Sequence, residues 1–167
     1  MSEEAVQVGR LEAADGGYQG HMERVFAHDR AAVWRMLTEP QALAQWLAPG
    51  SMELRPGGAV RIDFADSGVV IDSTVLALEE GALLEYSWSS GDEPERRLRW
   101  TLAQADGGTR LGLQVQVPAG EDASKACAGF EAHLEMLAAA LEGVPIHFPF
   151  QHYLGARKAY QAQLEGA

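Results

Sequence analysis

Between His28 and Pro49 the sequence encodes two short helices that meet at a built-in corner. Asp29 suits an N-cap, and Val33, Trp34 and Leu37 follow it at helical spacing. Thr38-Glu-Pro-Gln41 fits a capping box that opens a second helix, with Pro40 in the first turn, where its missing N–H costs little. Leu43, Trp46 and Leu47 make the second apolar stripe, and Pro49-Gly50 stops it. Each helix therefore carries one inward tryptophan. Trp34 is expected to fix its helix to a sheet, and Trp46 to reach the mouth of whatever space lies beyond.

That sheet follows directly. Residues 51–55 and 59–64 flank Pro56-Gly57-Gly58, a hairpin turn signal, and Val60, Ile62 and Phe64 alternate with Arg61 and Asp63. Ser67-Gly68 turns the chain into 69–78, where both parities carry apolar residues; this leaves the inward face open and allows a bulge. Leu84, Tyr86 and Trp88 alternate with Glu85 and Ser87. Leu98, Trp100 and Leu102 alternate with Arg97, Arg99 and Thr101, and Leu111, Leu113, Val115 and Val117 follow the same rule. Loops rich in Gly, Asp and Pro separate these runs, as in an antiparallel meander with one polar face. Residues 18–27 read as a first strand, and residues 1–17, with Val6, Val8 and Leu11, as an arm or an added edge strand.

After Pro118-Ala-Gly120 a helix is predicted over 124–142, with Phe130, Leu134, Leu137 and Leu141 in one stripe and Ala126, Cys127 and Ala138 beside it. Gly143 suits the residue just past its end. The tail from 143 is aromatic and holds a short helix over 151–165, with Tyr153, Arg157, Tyr160 and Leu164 on one side. It either covers the pocket mouth, packs in a homodimer, or folds back on its own domain.

Composition narrows the function classes. A formal net charge of −11 repels a phosphate backbone, so nucleic-acid binding is disfavoured. The single cysteine, Cys127, permits no internal disulfide and no cysteine metal cluster. The acidic start has no apolar signal core, and no run suffices to cross a bilayer, so a soluble, cytoplasmic protein is expected.

Chemical motifs are sparse. Neither a nucleophile elbow, a zinc-protease helix, a P-loop nor a dinucleotide glycine pattern occurs. Ser67 reads as a turn residue. His147 and His152 lack a helical ligand spacing, and His21 and His28 sit by the first strand, so neither a metal nor a cofactor is expected. In Glu95-Arg-Arg-Leu-Arg99, alternation turns Arg97 and Arg99 to solvent, offset by Asp92, Glu93 and Glu95.

The order of strand, two short helices, long meander and terminal helix is the helix-grip arrangement, an α+β fold. Arg24-Val-Phe-Ala-His-Asp-Arg-Ala-Ala-Val-Trp34, Leu37-Thr-Glu-Pro40 and Trp46 resemble the opening of the START-like (SRPBCC) superfamily, in the branch named for activators of heat-shock-protein-90 ATPase. Leu76-Ala-Leu-Glu-Glu-Gly-Ala-Leu-Leu-Glu-Tyr-Ser-Trp88 is similar to its strand, turn and strand. Gly129-Phe-Glu-Ala-His-Leu-Glu-Met-Leu137 is similar to its terminal helix, with Phe130 where tryptophan is usual. The resemblance spans residues 18–142. It implies a curved sheet around the long helix, with an apolar cavity between them.

Several bulky rings between a concave sheet and one helix suit either a dense core or a ligand pocket. On the second reading, Trp46, Phe64, Trp88, Trp100, Leu113, Phe130, His133, Leu134 and Leu137 form the walls. His133, at the margin of the stripe, either bonds backbone or water or orients a ligand. Three functions follow as expectations. The first is a carrier or sensor of a small apolar or aromatic ligand. The others are an interaction module for a chaperone ATPase, and a cyclase or hydrolase in which His133 would need a second catalytic group.

Overall fold

The computed structural model of the protein describes residues 7–64 and 68–165; Val6 and Ser67 fall outside them. The chain runs β1 (Arg10–Ala14), β2 (Gly17–Phe26), α1 (Arg30–Thr38), α2 (Pro40–Trp46), β3 (Gly50–Met52), β4 (Ala59–Phe64), β5 (Val69–Glu79), β6 (Leu83–Ser87), β7 (Arg97–Ala105), β8 (Gly108–Pro118), α3 (Ala123–Leu141) and α4 (Phe150–Glu165). All eight strands form one curved antiparallel sheet in the order β1-β2-β8-β7-β6-β5-β4-β3. Its inward residues include Met22 and Phe26 on β2, Leu98 and Trp100 on β7, and Leu111, Leu113 and Val115 on β8. They close on Cys127, Phe130, Leu134 and Leu137 of α3. This is the helix-grip fold.

The corner forms, with one change in its chemistry. Asp29 caps α1, its carboxylate accepting from the Ala32 N–H at 2.8 Å. The expected capping box at Thr38 is absent: the Thr38 hydroxyl donates to the Trp34 carbonyl at 2.9 Å, inside the last turn of α1. Glu39 instead ends one helix and starts the next, in extended backbone that a following proline favours.

The first hairpin also departs from expectation. β3 stops at Met52 rather than 55, because Glu53 closes the loop early: its N–H donates to the Ala59 carbonyl and its side chain accepts from the Ala59 N–H. In β5 the register shifts between Val75 and Ala77. Ile71 and Val75 point inward before this bulge, and Leu78, opposite Leu84, packs on the core after it. One extra residue reverses the alternation, which is why both parities are apolar.

The α3 helix ends as the sequence predicts. Gly143, at φ +77°, donates to the Ala140 carbonyl, and Val144 donates to that of Ala139, each at 3.0 Å. α4 then packs back against α3 and β1. No helix of the described residues is long and apolar enough to cross a membrane.

Candidate functional site

The expected aromatic wall divides in two. Trp46 and Trp100 meet edge to face at 5.7 Å and are both buried in the core. The Trp46 indole N–H donates to the Met36 carbonyl at 2.6 Å, so its side chain ties the two corner helices together rather than reaching a pocket mouth. Leu134 and Leu137 are likewise buried in the core. Leu113 is buried too and borders a different depression, at the β1–β2 side of the sheet.

The second group is open. A cleft of about 560 Å³ lies between the β5–β6 end of the sheet and the first half of α3, with Ile71, Trp88, Ala126, Gly129, Phe130 and His133 in its walls. Phe64 stands edge-on to Trp88 at 5.8 Å and to His133 at 5.9 Å, and Trp88 stands edge-on to Phe130 at 5.2 Å. Edge-to-face contacts hold these rings in fixed relative orientation. Gly129 leaves part of the space vacant, since a Cβ built there meets no atom within 4 Å.

The rim is charged. Arg96, just before β7, donates from Nε and Nη2 to the two oxygens of Glu121, each at 2.8 Å. Its Nη1 donates to the Trp88 carbonyl at 3.2 Å, and the Trp88 N–H donates to the Arg96 carbonyl at 2.6 Å. One arginine thus fixes the backbone of a wall tryptophan and straps the β6–β7 loop to the start of α3. The Glu121 carboxyl is held below its ordinary value, first by the Arg96 hydrogen bonds, against the opposing effect of burial.

His133 occupies the inner corner of the cleft. Its Nδ1 donates to the backbone carbonyl of Trp46 at 2.9 Å. Phe148, from the segment after α3, packs edge-on to it at 5.5 Å. Burial pushes the imidazole below its ordinary value, partly countered by the Trp46 hydrogen bond. The tail therefore folds back on its own domain, with Phe148 next to the cleft and Tyr160 of α4 buried on the side facing α3.

Two participants in the cleft, Arg96 and Gly129, were not legible as such, and neither was a structural acid away from it, Glu131. Arg96 sits in a run expected to face water, yet it is Arg97 and Arg99 alone that take the outer face, where they cover a buried Glu85. Gly129 carries no side-chain signal. Glu131, wholly buried on α3, joins Arg24, Gly9 and Tyr160 in a polar cluster away from the cleft. Its one visible clue is a carboxylate at helical spacing from Cys127 and Leu134, on the inward side of the helix. A larger depression of about 1050 Å³ beside that cluster has Arg10, His21, Arg24 and Glu135 in its walls. Arg10 and Arg24 there are already paired, with Glu12 and Glu131. Among the described residues no three His, Cys, Asp or Glu side chains converge on a common point.

A sheet that grips a helix beside an aromatic cleft defines a START-like domain. The profile of the family described as activator of Hsp90 ATPase homolog 1-like protein matches residues 27–142, and the chain belongs to that family. Among solved structures, CalU16 from Micromonospora echinospora is similar over 95% of this chain and 96% of its own, at 19% identity and a TM-score of 0.76, a likeness of fold alone. DynU16, described as a putative protein in the dynemicin biosynthetic locus, is 29% identical over 76% of this chain, with a TM-score of 0.69; the chain spans about half of DynU16, 48%. MLL2253 from Mesorhizobium loti is 26% identical over 77% of this chain and 99% of its own, with a TM-score of 0.65. No curated protein sequence matches the chain.

Proposed function

We propose that the protein binds a small aromatic ligand in the cleft between β5, β6 and α3, as a carrier or sensor. The observation that carries this reading is the combination of fixed rings at Phe64, Trp88 and Phe130 with the space left by Gly129. A dense two-layer core would fill that space. A planar ligand seated there buries apolar area worth about 25 cal/mol per Å² before ordering costs. The rim strap of Arg96 and Glu121 keeps the wall tryptophan in place without spending free charge on the ligand. The occurrence of DynU16 in a biosynthetic locus is consistent with a small-molecule role.

The test is ligand titration with 2-methoxynaphthalene, read by tryptophan fluorescence and by melting temperature. Saturable quenching and a rise in melting temperature are expected for the natural sequence. Gly129→Leu fills the vacant volume at a helical position, so it should weaken binding by about tenfold or more while leaving the fold at least as stable. Equal binding by Gly129→Leu, or no response from the natural sequence, would overturn the assignment.

A further inference from the structure

The identity of the polar group that faces the cleft sets a rule for what enters it. Trp46 is the last residue of α2, so its carbonyl has no partner within its own helix. His133 fills that vacancy from α3. A carbonyl oxygen only accepts, so Nδ1 must carry the proton. A neutral imidazole has one ring proton, and burial favours the neutral ring. Nε2 is then left with a bare lone pair. Among the described residues it has no hydrogen-bond partner, and it is not sealed from solvent. The Nδ1 bond to the Trp46 carbonyl and the edge-on contacts of Phe64 and Phe148 hold the ring in this orientation.

Arg96, which bonds the backbone of Trp88, is already engaged on each of its three nitrogens. The Arg96 guanidinium uses its Nε and Nη2 on Glu121 and its Nη1 on the Trp88 carbonyl. The charged groups Glu93, Arg96, Glu121, Asp122 and Lys125 stand at the rim, and the polar side chain packed among the rings themselves is His133, an acceptor at Nε2. A ligand whose ring carries only ether or ketone oxygens would cover Nε2 and leave it unpaired, which costs more than an ordinary hydrogen bond gains.

We propose that the cleft selects aromatic ligands bearing a hydrogen-bond donor, a phenolic or enolic hydroxyl, which donates to Nε2 of His133. This rests on the cleft being the ligand site. His133 acts as the specificity-determining residue, and its selectivity is imposed by the Trp46 carbonyl through the tautomer.

Two matched probes test it on the full chain: 2-naphthol, which has the donor, and 2-methoxynaphthalene, which has the same rings without it. The expected result is about tenfold tighter binding of 2-naphthol at pH 7.5. His133→Leu should abolish that preference, so that whatever affinity remains is equal for the two probes. Imidazole ¹⁵N spectra of the natural sequence supply a readout that needs no variant. They should show an unprotonated Nε2 that moves on adding 2-naphthol and stays put on adding 2-methoxynaphthalene. Equal affinity for the two probes, or a proton on Nε2 of the free protein, would overturn the donor rule and leave the cleft assignment standing. If neither probe binds, both fail together.

Discussion

The hydroxyl of Tyr160 on α4 donates to the carboxylate of Glu131, which is wholly buried on α3. The same carboxylate accepts from the backbone N–H of Gly9 at 2.8 Å and from Nη2 of Arg24 at 2.5 Å. One buried acid thus gathers the segment leading into β1, the edge of β2, and both C-terminal helices. Burial, reinforced by the negative Glu131, pushes the Tyr160 hydroxyl far above its ordinary value, so it remains a donor.

Removing either partner should loosen all four elements. Tyr160→Phe is expected to cost about 1–3 kcal/mol, the penalty for a buried acceptor losing a donor. Glu131→Ala should cost about 3 kcal/mol, near the low end for a broken buried ion pair because Arg24 keeps some contact with water. Urea denaturation measures both, and hydrogen exchange at Leu11 should quicken with them. A loss below about 0.5 kcal/mol, the size of an ordinary surface change, would show that the cluster is not structural.

Gly20 of β2 lies directly beneath Cys127, and a Cβ added there would sit 2.5 Å from Sγ. Gly20→Ala is expected to destabilise by about 1–3 kcal/mol through overpacking. Cys127→Ala in the same chain should recover most of that loss, giving a clear coupling in a double-mutant cycle. Burial, aided by Glu131, pushes the Cys127 thiol up to about 12. Its labelling by a thiol reagent at neutral pH should therefore track unfolding rather than proceed on the native protein.

Acid should loosen the rim. Glu121 is held below 4.5 chiefly by Arg96, and Asp122 below 3.8 chiefly by the Ser124 hydroxyl, with burial opposing and Lys125 and Arg157 assisting. Both groups bind fewer protons in the folded state than in the unfolded one. Their stabilisation is complete at neutral pH and is lost as pH falls from these ordinary values through the lower folded ones. Melting temperature should decline across that window, by a modest amount because both carboxylates touch water. Glu121→Gln should flatten part of the decline; an unchanged profile would sever the link to the strap.

His133 adds a separate window at higher pH. Its folded value lies below 6.5, so the unfolded chain takes up the proton first, and stability falls as pH drops from 6.5 toward the folded value. The rim groups Glu93, Arg96, Glu121, Asp122 and Lys125 share the cleft with it. Protonation also removes the Nε2 acceptor, so 2-naphthol affinity should hold between pH 7.5 and 6.5 and then drop. Affinity that instead rises on acidification would contradict a neutral, accepting ring.

Much of the fold could be read from spacing. Alternation in 97–102 and 111–117 located β7 and β8, and Asp29, Pro40 and Gly143 marked helix boundaries, because these signals act through local sterics and hydrogen bonds. Thr38 misled for a related reason. Its hydroxyl had two local partners within reach, and the choice between capping forward and bonding back to Trp34 depended on Glu39 already being extended before Pro40. The parity of 69–79 was unreadable until the bulge beside Val75 gave both sets of apolar residues the same inward face.

The candidate site was legible only in part. Trp46, Trp100, Phe64, Trp88 and Phe130 all read as inward rings, and sequence gave no means of sorting core from cleft. That division depends on which rings α3 covers and which it leaves beside Gly129, a matter of helix placement across residues far apart in the chain. Residue spacing alone determined an α+β meander with a helical corner and one long helix, since periodicity and caps are local properties. Tertiary structure decided the rest. It buried Trp46 and lent its carbonyl to His133, turned Arg96 into a strap, and left Nε2 of His133 unpaired among the described residues, because each outcome depends on which groups other elements bring up.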